Sequence, residues 1–182
     1  MSVSSEDLLA GFSPAGLVDA DRLVSELFAT EARSLVRLAR IFCDDRNAAE
    51  DLVQEAFIRL HRSAGTIRDP GRAPAFLRSI VINLARDHNR RGLMSLRHRS
   101  SIPKPEPDRG FEDLAVDSHD DRIVLEAVRN LPERQRACLA LRYYLELSES
   151  ETADTLGISK SSVKTHCRRA LAALETAVKE LQ

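Results

Sequence analysis

The sequence contains no tryptophan, and its 182 residues include only three cysteines, seven glycines and seven prolines. The cysteines, Cys43, Cys138 and Cys167, are widely spaced and form no CxxC pair, which argues against a disulfide framework and against a zinc site. We interpret them as small buried hydrophobic residues, with a redox-sensing thiol as the alternative. Scarce glycine and proline favour long regular elements.

Long apolar runs are missing as well. No stretch approaches the roughly 20 apolar residues that a membrane helix needs. The first charged residues of the sequence are the acids Glu6 and Asp7, whereas a signal peptide has basic residues followed by an apolar run. We therefore expect a folded cytoplasmic protein.

The sequence also lacks the patterns that carry catalysis. Its five histidines are scattered without HExxH or other paired-ligand spacing, and no glycine-rich phosphate loop or GxSxG elbow occurs. Carboxylates such as Asp44 and Asp45 fit helix boundaries. The sequence therefore predicts a protein that is not an enzyme and has no metal, no cofactor and no small-molecule substrate.

The charges that are present alternate in sign along the chain, although the net charge is only -1. Residues 1–58 carry 5 Lys or Arg against 11 Asp or Glu, and residues 105–158 carry 6 against 13. Residues 59–104 carry 11 against 2, a net charge of +9, and residues 159–182 carry 5 against 2. Two separate basic segments predict that a polyanion is bound at two places, while the acidic segments avoid it or meet a basic protein.

The apolar residues show helical spacing without the alternation of strands, which predicts an all-α fold. The expected helices cover residues 19–43, the stretch from the polar break at 44–47 to about residue 64, and residues 75–91, 120–130, 132–145, 149–156 and 160–181. We predict two small helical domains, residues 19–92 and 119–182. A flexible linker over residues 93–118, rich in proline, serine and charge, joins them, and residues 1–18 form an N-terminal extension.

The most specific local pattern is a helix-turn-helix over residues 149–163. Ala153 is small where two helices would cross, Gly157 lies where the tight turn needs a positive φ, and Val163 would pack back from the second helix. We expect Ser148 to cap the first helix and Ser159 the second. A purely structural helical hairpin is the alternative.

The second helix of this pattern would enter the major groove of DNA as a recognition helix. Its candidate base readers are Ser161, Ser162, Lys164 and Thr165. Its candidate phosphate contacts, which position the helix without reading sequence, are Lys160, Arg168 and Arg169. We expect His166 to be an exposed residue at the edge of the groove.

Several segments, taken in order, carry a family resemblance. The C-terminal half contains LPERQR at 131–136, LRYY at 141–144 and the helix-turn-helix, and it resembles the C-terminal domain of extracytoplasmic-function sigma factors, members of the sigma-70 family. AEDLVQEAFIRL at 49–60 is similar to the family's polymerase-clamp-binding helix, and FLRSIVINLARD at 76–87 to its promoter-melting helix. The resemblance implies core RNA polymerase and promoter DNA as partners.

For the acidic second helix, the resemblance implies docking on a coiled coil of the polymerase's largest subunit. The candidate polymerase-binding residues are Asp51, Gln54, Glu55, Phe57 and Arg59. Without the resemblance, the same carboxylates would be interpreted as a solvated helix face that Arg59 and Arg62 neutralise.

For the basic third helix and the loop at 67–74, the resemblance implies contact with the minus-10 element as the promoter opens. A captured base would lie near that loop. The candidate minus-10 residues are Arg78, Asn83, Arg86, Asp87, Arg90 and Arg91. Asn83 either hydrogen-bonds a base or fixes the loop.

The sequence departs from the family at a few positions. Phe76 stands where tryptophan is common, so the aromatic surface is smaller, and Ser162 and His166 replace a frequent threonine and arginine of the minus-35 reader. The family also suggests an inhibitory anti-sigma partner, often at the membrane. Two alternatives stay open: a helix-turn-helix regulator that binds duplex DNA alone, and an interaction protein that copies a sigma factor without starting transcription.

Overall fold

The computed structural model describes residues 19–43, 45–98 and 119–180. These ranges contain seven α-helices and no strand, which confirms the all-α prediction. The helices are α1 (Ala20–Phe42), α2 (Arg46–Ser63), α3 (Ala73–His98), α4 (His119–Asn130), α5 (Glu133–Leu139), α6 (Glu149–Leu156) and α7 (Lys160–Glu180).

The first two helices begin where the sequence places capping carboxylates. The Asp19 side chain accepts hydrogen bonds from the backbone N–H groups of Asp21 and Arg22, at 3.1 and 3.2 Å. The Asp45 side chain accepts one from the N–H of Asn47, at 2.9 Å. Both contacts satisfy helix N–H groups that lack an intrahelical partner.

The first half of the chain is a three-helix unit, in which α1, α2 and α3 pack against one another. Its core holds the fully buried Leu35, Leu38, Leu60 and Leu77. A bidentate pair, in which Arg78 Nη2 lies 2.9 and 3.0 Å from the two carboxylate oxygens of Glu31, ties α3 to α1.

Helix α3 is longer than the sequence predicts at both ends. It begins at Ala73, since Pro74 lies in the first turn, where a missing N–H costs little. It continues to His98, into the segment expected to be linker, because a single Gly92 costs only about 1 kcal/mol relative to alanine. The rest of that expected linker, residues 99–118, lies outside the described residues, as does the expected extension 1–18.

The predicted helix 132–145 is interrupted. α5 ends at Leu139 and continues as a five-residue π-helical turn, Ala140–Tyr144. After this turn the N–H of Leu147 donates to the carbonyl of Leu141, at 3.0 Å, and Glu146 adopts a positive φ of 54°. The helical stretch therefore ends where the sequence predicts, and only its change from α-helix to π-helix at Ala140 was not predicted.

The two halves of the chain pack together. Ala140, Leu141 and Leu147, from the second half, belong to the same buried cluster as the core of α1–α3. The Arg129 guanidinium donates to the backbone carbonyls of Arg40, at 2.9 Å, and Cys43, at 3.4 Å, at the C-terminal end of α1. Apolar burial and a cation at a helix C-terminus both stabilise this junction.

No helix in the described ranges combines the length and apolarity required to span a bilayer. Among the same residues, no group of three His, Cys, Asp or Glu side chains is arranged to hold a metal ion.

The cysteines are all buried, as predicted. Burial raises the pKa of the Cys138 thiol to about 12 and also raises that of Cys167, its neighbour in one apolar cluster. The thiolate is the reactive form of cysteine, so these two thiols are chemically quiet near neutral pH.

We expect Cys138 and Cys167 to resist iodoacetamide at pH 8 in the folded protein and to react rapidly in denaturant, where the pKa values return to ordinary ones. Peptide mass spectrometry after timed labelling measures both rates. Native labelling as fast as denatured labelling would show that the thiols are accessible and would revive the redox alternative.

Candidate nucleic-acid interface

The helix-turn-helix forms as the sequence predicts. Ser148 Oγ accepts from the N–H of Glu151, at 3.2 Å, and the Glu151 carboxylate accepts from the N–H of Ser148, at 2.8 Å, so the capping box is complete. These hydrogen bonds lower the pKa of the Glu151 carboxyl. Gly157 ends α6 with φ 63°, in the left-handed region. Ala153 and Val163 are both buried.

Replacing Gly157 by alanine should destabilise the fold by about 1 kcal/mol, because an L-residue is strained at this φ even though a Cβ there meets nothing within 4 Å. Gly65→Ala is the matched control, since its Cβ also meets nothing and its φ is not positive. Urea denaturation followed by circular dichroism measures both variants. Equal midpoints for the two variants would contradict the argument from φ.

The N-terminal turn of α7 presents a cluster of hydroxyl groups. Ser159 Oγ lies 2.9 Å from Ser161 Oγ and 2.8 Å from Ser162 Oγ, and it accepts from the N–H of Ser162, at 3.2 Å. This confirms that Ser159 caps the helix. Thr165 Oγ1 donates to the carbonyl of Ser161, at 2.9 Å. A hydroxyl that donates or accepts within such a network can exchange partners with a base edge.

The basic side chains of α7 lie on the same helix as these hydroxyl groups. Lys160, Arg168 and Arg169 are exposed, and the described residues offer them no ion pair. Lys164 Nζ lies 3.5 Å from a carboxylate oxygen of Glu149. His166 is half-buried and its Nδ1 is shielded from solvent, so the prediction of an exposed His166 is wrong.

A second basic surface lies on α3. Asn83, Asp87 and Arg90 are exposed, and Arg90 pairs loosely with Asp87, at 3.7 Å. Arg86 is half-buried, with its Nε 3.0 Å from a carboxylate oxygen of Glu133, and Arg78 is engaged by Glu31. The side chain of Arg91 lies outside the described part of the chain. Of the six predicted minus-10 residues, three are therefore directly available to a ligand.

The loop before α3 forms one wall of an open groove of about 950 Å³. Asp69 shapes the loop by accepting from the N–H of Gly71, at 2.9 Å, which caps a short 3-10 turn, Pro70–Arg72. Arg68 and Arg72 are exposed, and the ring of Phe76 is partly exposed beside them. A groove with cations at its rim and an aromatic ring in its wall fits an unstacked base and its phosphates.

The acidic surface of α2 is only partly the one predicted. Asp51 and Gln54 are exposed, and Glu55 pairs with Arg59 at 2.7 Å. Phe57 is buried and packs against Phe28 in a tilted arrangement, with ring centroids 5.2 Å apart, so the structure does not bring it to the surface.

Two exposed apolar side chains were missed on this side of the molecule. Phe28, which covers the buried Phe57, is 57% exposed, and Ile58, the next residue along α2, is 46% exposed. Exposed large apolar residues beside charged ones are typical of interaction surfaces. The sequence signal that could have identified this surface is Ile58, because it is an apolar residue within a charged stretch of α2.

Two family models match the chain. The model described as Sigma-70 region 2 matches residues 27–92, and the model described as Sigma-70, region 4, matches residues 121–174. The first match covers α2, the groove loop and α3 as far as residue 92, and the second contains the helix-turn-helix.

Curated relatives agree with these matches. The chain is 33% identical over 150 residues to the RNA polymerase sigma-E factor of Streptomyces coelicolor, covering 82% of each protein. It is 31% identical over 150 residues to the ECF RNA polymerase sigma factor SigM of Mycobacterium tuberculosis, covering 82% of this chain and 74% of that one.

Solved structures show the same fold. The sigma factor RpoE, determined with the anti-sigma factor NepR from Bartonella quintana, gives a TM-score of 0.67 at 19% identity, covering 85% of this chain and 96% of RpoE. CnrH, determined with the cytosolic domain of CnrY, gives a TM-score of 0.65 at 22% identity, covering 88% and 95%.

Proposed function

Since the chain belongs to the extracytoplasmic-function sigma factors of the sigma-70 family, its function is promoter-specific transcription initiation, and we propose here how its surfaces divide that work. The observation that carries this division is the presence of two basic surfaces on separate helical units, α3 and α7. Such a pair of surfaces suits two ligands of one promoter, a duplex element and an opened strand.

The exposed face of α2 is the surface that we assign to core RNA polymerase. Asp51, Gln54 and the Glu55–Arg59 pair offer charge and hydrogen-bonding groups, and Ile58 adds exposed apolar area. Phe57 supports this face from beneath. A central apolar contact surrounded by charged groups is a common composition for a specific interface.

The groove and the exposed face of α3 are assigned to the minus-10 element. Asn83 and Arg90 contact the opened strand directly, together with Arg91, whose side chain is not described. Asp87 stands beside Arg90 and orients it. Arg78 lines the groove while paired with Glu31, so its main role is to hold α3 on α1, and Arg86 contacts DNA after it leaves Glu133.

Helix α7 is assigned to the minus-35 element as duplex DNA. Ser161, Ser162, Lys164 and Thr165 lie on its N-terminal turns and read base edges. Lys160, Arg168 and Arg169 contact phosphates and set the register of the helix in the groove.

We assign residues 19–92 to the first domain and 119–182 to the second. The protein acts in the cytoplasm, is not itself a catalyst, and is inhibited by an anti-sigma factor that covers the same surfaces, in some cells at the membrane. The family supports this, and RpoE was solved in complex with the anti-sigma factor NepR.

Run-off transcription on genomic fragments tests the proposal. Purified protein added to bacterial core polymerase should give specific starts that core enzyme alone does not give. Duplex binding by the free protein without any start would favour the helix-turn-helix regulator. Polymerase binding without starts would favour the interaction protein that only copies a sigma factor.

A further inference from the structure

We infer that Glu149 is a positioning residue for promoter recognition: its carboxylate holds the ammonium group of Lys164, so that this lysine reads base edges of the minus-35 element and does not bind the nearest phosphate. The inference rests on the function proposed above for α7. It gives a role in sequence selection to a side chain of α6, the helix that precedes the recognition helix.

The pair between Glu149 and Lys164 joins two helices. Lys164 Nζ lies 3.5 Å from a carboxylate oxygen of Glu149, and the two residues stand on opposite sides of the turn at Gly157. The pair between Glu175 and Lys179, at 2.6 Å, lies within α7. An intrahelical pair forms wherever opposite charges are spaced by one turn, whereas the pair between α6 and α7 requires the assembled helix-turn-helix.

The packing of α6 on α7 determines where the carboxylate stands. A capping box starts α6 at Glu149, so this side chain lies in the first turn. Ala153 of α6 packs with Val163 and Cys167 of α7 in one buried cluster. The first turn of α6 therefore lies beside the second turn of α7, which carries Lys164.

Lys164 is the middle member of a row of cations. Lys160, Lys164 and Arg168 are spaced four residues apart, so they follow one another along one face of α7. Lys160 and Arg168 are exposed, and the part of the chain that the structure describes offers them no ion pair. Of the three, Lys164 is the cation that an acid restrains.

This restraint affects what Lys164 can bind. A lysine is a compact charge on a flexible stem, and phosphates attract such a charge at every sequence. Both neighbours of Lys164 in the row are assigned to phosphates, so an unrestrained ammonium would find one as well. The carboxylate of Glu149 competes with these phosphates. The ammonium keeps donors for acceptors in the groove, and the O6 and N7 of guanine are the acceptors that lysine fits.

The same carboxylate weakens DNA binding in general. Phosphates repel a negative charge that docks beside them, so Glu149 lowers the affinity for every duplex. The loss is greatest for a sequence that offers Lys164 phosphates and no base acceptor. Removal of the carboxylate should therefore raise affinity and reduce selectivity, because the two depend on different contacts.

The test compares holoenzymes that carry the full-length wild type, Glu149→Gln, Lys164→Gln, the double variant of these two, or the control Glu175→Gln. Each glutamate pairs with a lysine, and glutamine removes one negative charge in either case. Residue 175 lies about 16 Å along α7 from residue 164, at 1.5 Å per residue. The exchanged side chains are at least partly exposed and the capping box is unchanged, so all five proteins should fold.

The first measurement is selectivity. One promoter that the wild type transcribes is rebuilt with every single base-pair change in its minus-35 element, and each template carries its own tag in the transcribed region. Sequencing of the run-off products ranks the templates. We expect the wild type to prefer one base about tenfold at the position that Lys164 reads, and Glu149→Gln to prefer it about threefold. Lys164→Gln should lose this preference, and adding Glu149→Gln to it should change nothing further.

The second measurement is salt-titrated binding of each holoenzyme to a duplex that lacks the minus-35 element. Glu149→Gln should bind it about threefold more tightly. The slope of log K against log salt should become more negative by about 0.9, because the released Lys164 gains one phosphate contact. Glu175→Gln should change neither quantity.

Equal results for Glu149→Gln and Glu175→Gln would overturn the inference. So would a loss of preference at several positions of the element, since that indicates a structural effect on α7. Specific starts from all five holoenzymes with unchanged preferences refute only the role of Glu149. No specific starts from the wild type refute the proposed function, and the inference with it.

Discussion

Replacing Leu141 by alanine should destabilise both halves of the protein together, by about 3 kcal/mol, within the range measured for buried leucines. Leu141 is 0% exposed and lies in the π-helical turn after α5, yet it packs with the core of α1–α3. The cavity left by the missing atoms would open at the junction itself. For a chain of this size, the loss corresponds to a melting temperature lower by roughly 6–12 °C.

Thermal and urea denaturation followed by circular dichroism measure the total loss, and hydrogen exchange of peptides from α1 and α6 locates it. Leu171→Ala is the control, since Leu171 is 43% exposed and should cost less than about 1 kcal/mol. Faster exchange in α6 with unchanged exchange in α1 would show that the halves unfold independently.

The sequence predicted most of the secondary structure because its signals are local. The capping carboxylates of α1 and α2, the Ser148–Glu151 box and Gly157 each determine a helix end through neighbours in the chain. Apolar spacing then identified the buried faces. The bounds of α3 and the π-helical turn after α5 were missed because residue type alone does not specify them.

The packing of the two halves could not be predicted, because it depends on residues distant in sequence. Arg129 contacts the end of α1, which lies 86 or more positions earlier in the chain. Glu133 contacts Arg86, which lies 47 positions earlier. Read locally, Arg86 is a cation on a basic helix and Glu133 an acid in a first turn. Phe57 was expected to bind polymerase through the family resemblance, although its spacing from Val53 and Leu60 already places it on the apolar face of α2, where the structure buries it.

The sequence predicted that Lys160, Ser161, Lys164, Arg168 and Arg169 face solvent on α7, since a helix-turn-helix fixes which side of its second helix faces outward. The exceptions are instructive. His166 lies beside the exposed residues of α7 but is itself half-buried. The hydroxyl network around Ser159 joins three serines that the sequence shows only as neighbours. Residue identity gave the chemistry of the surface, and the helix geometry decided which groups reach solvent.

The double variant Arg168→Ala, Arg169→Ala should reduce specific transcription by about 30-fold at 0.15 M salt, because both guanidinium groups are exposed and are assigned to phosphates. Each lost phosphate contact should also reduce the salt dependence of duplex binding. The slope of log K against log salt should become less negative by about 1.8 in total, at roughly 0.9 for each contact. Run-off transcription and salt-titrated binding of the holoenzyme to one active promoter measure the two effects.

Arg22→Ala combined with Lys179→Ala is the matched control, since it removes the same charge from two side chains that pair within their own helices. It should leave transcription within about twofold and the salt slope unchanged. A loss of transcription in the arginine variant with no change of slope would mean that Arg168 and Arg169 act through the structure of α7. The change of slope is therefore the decisive quantity, because only direct phosphate contacts release counterions.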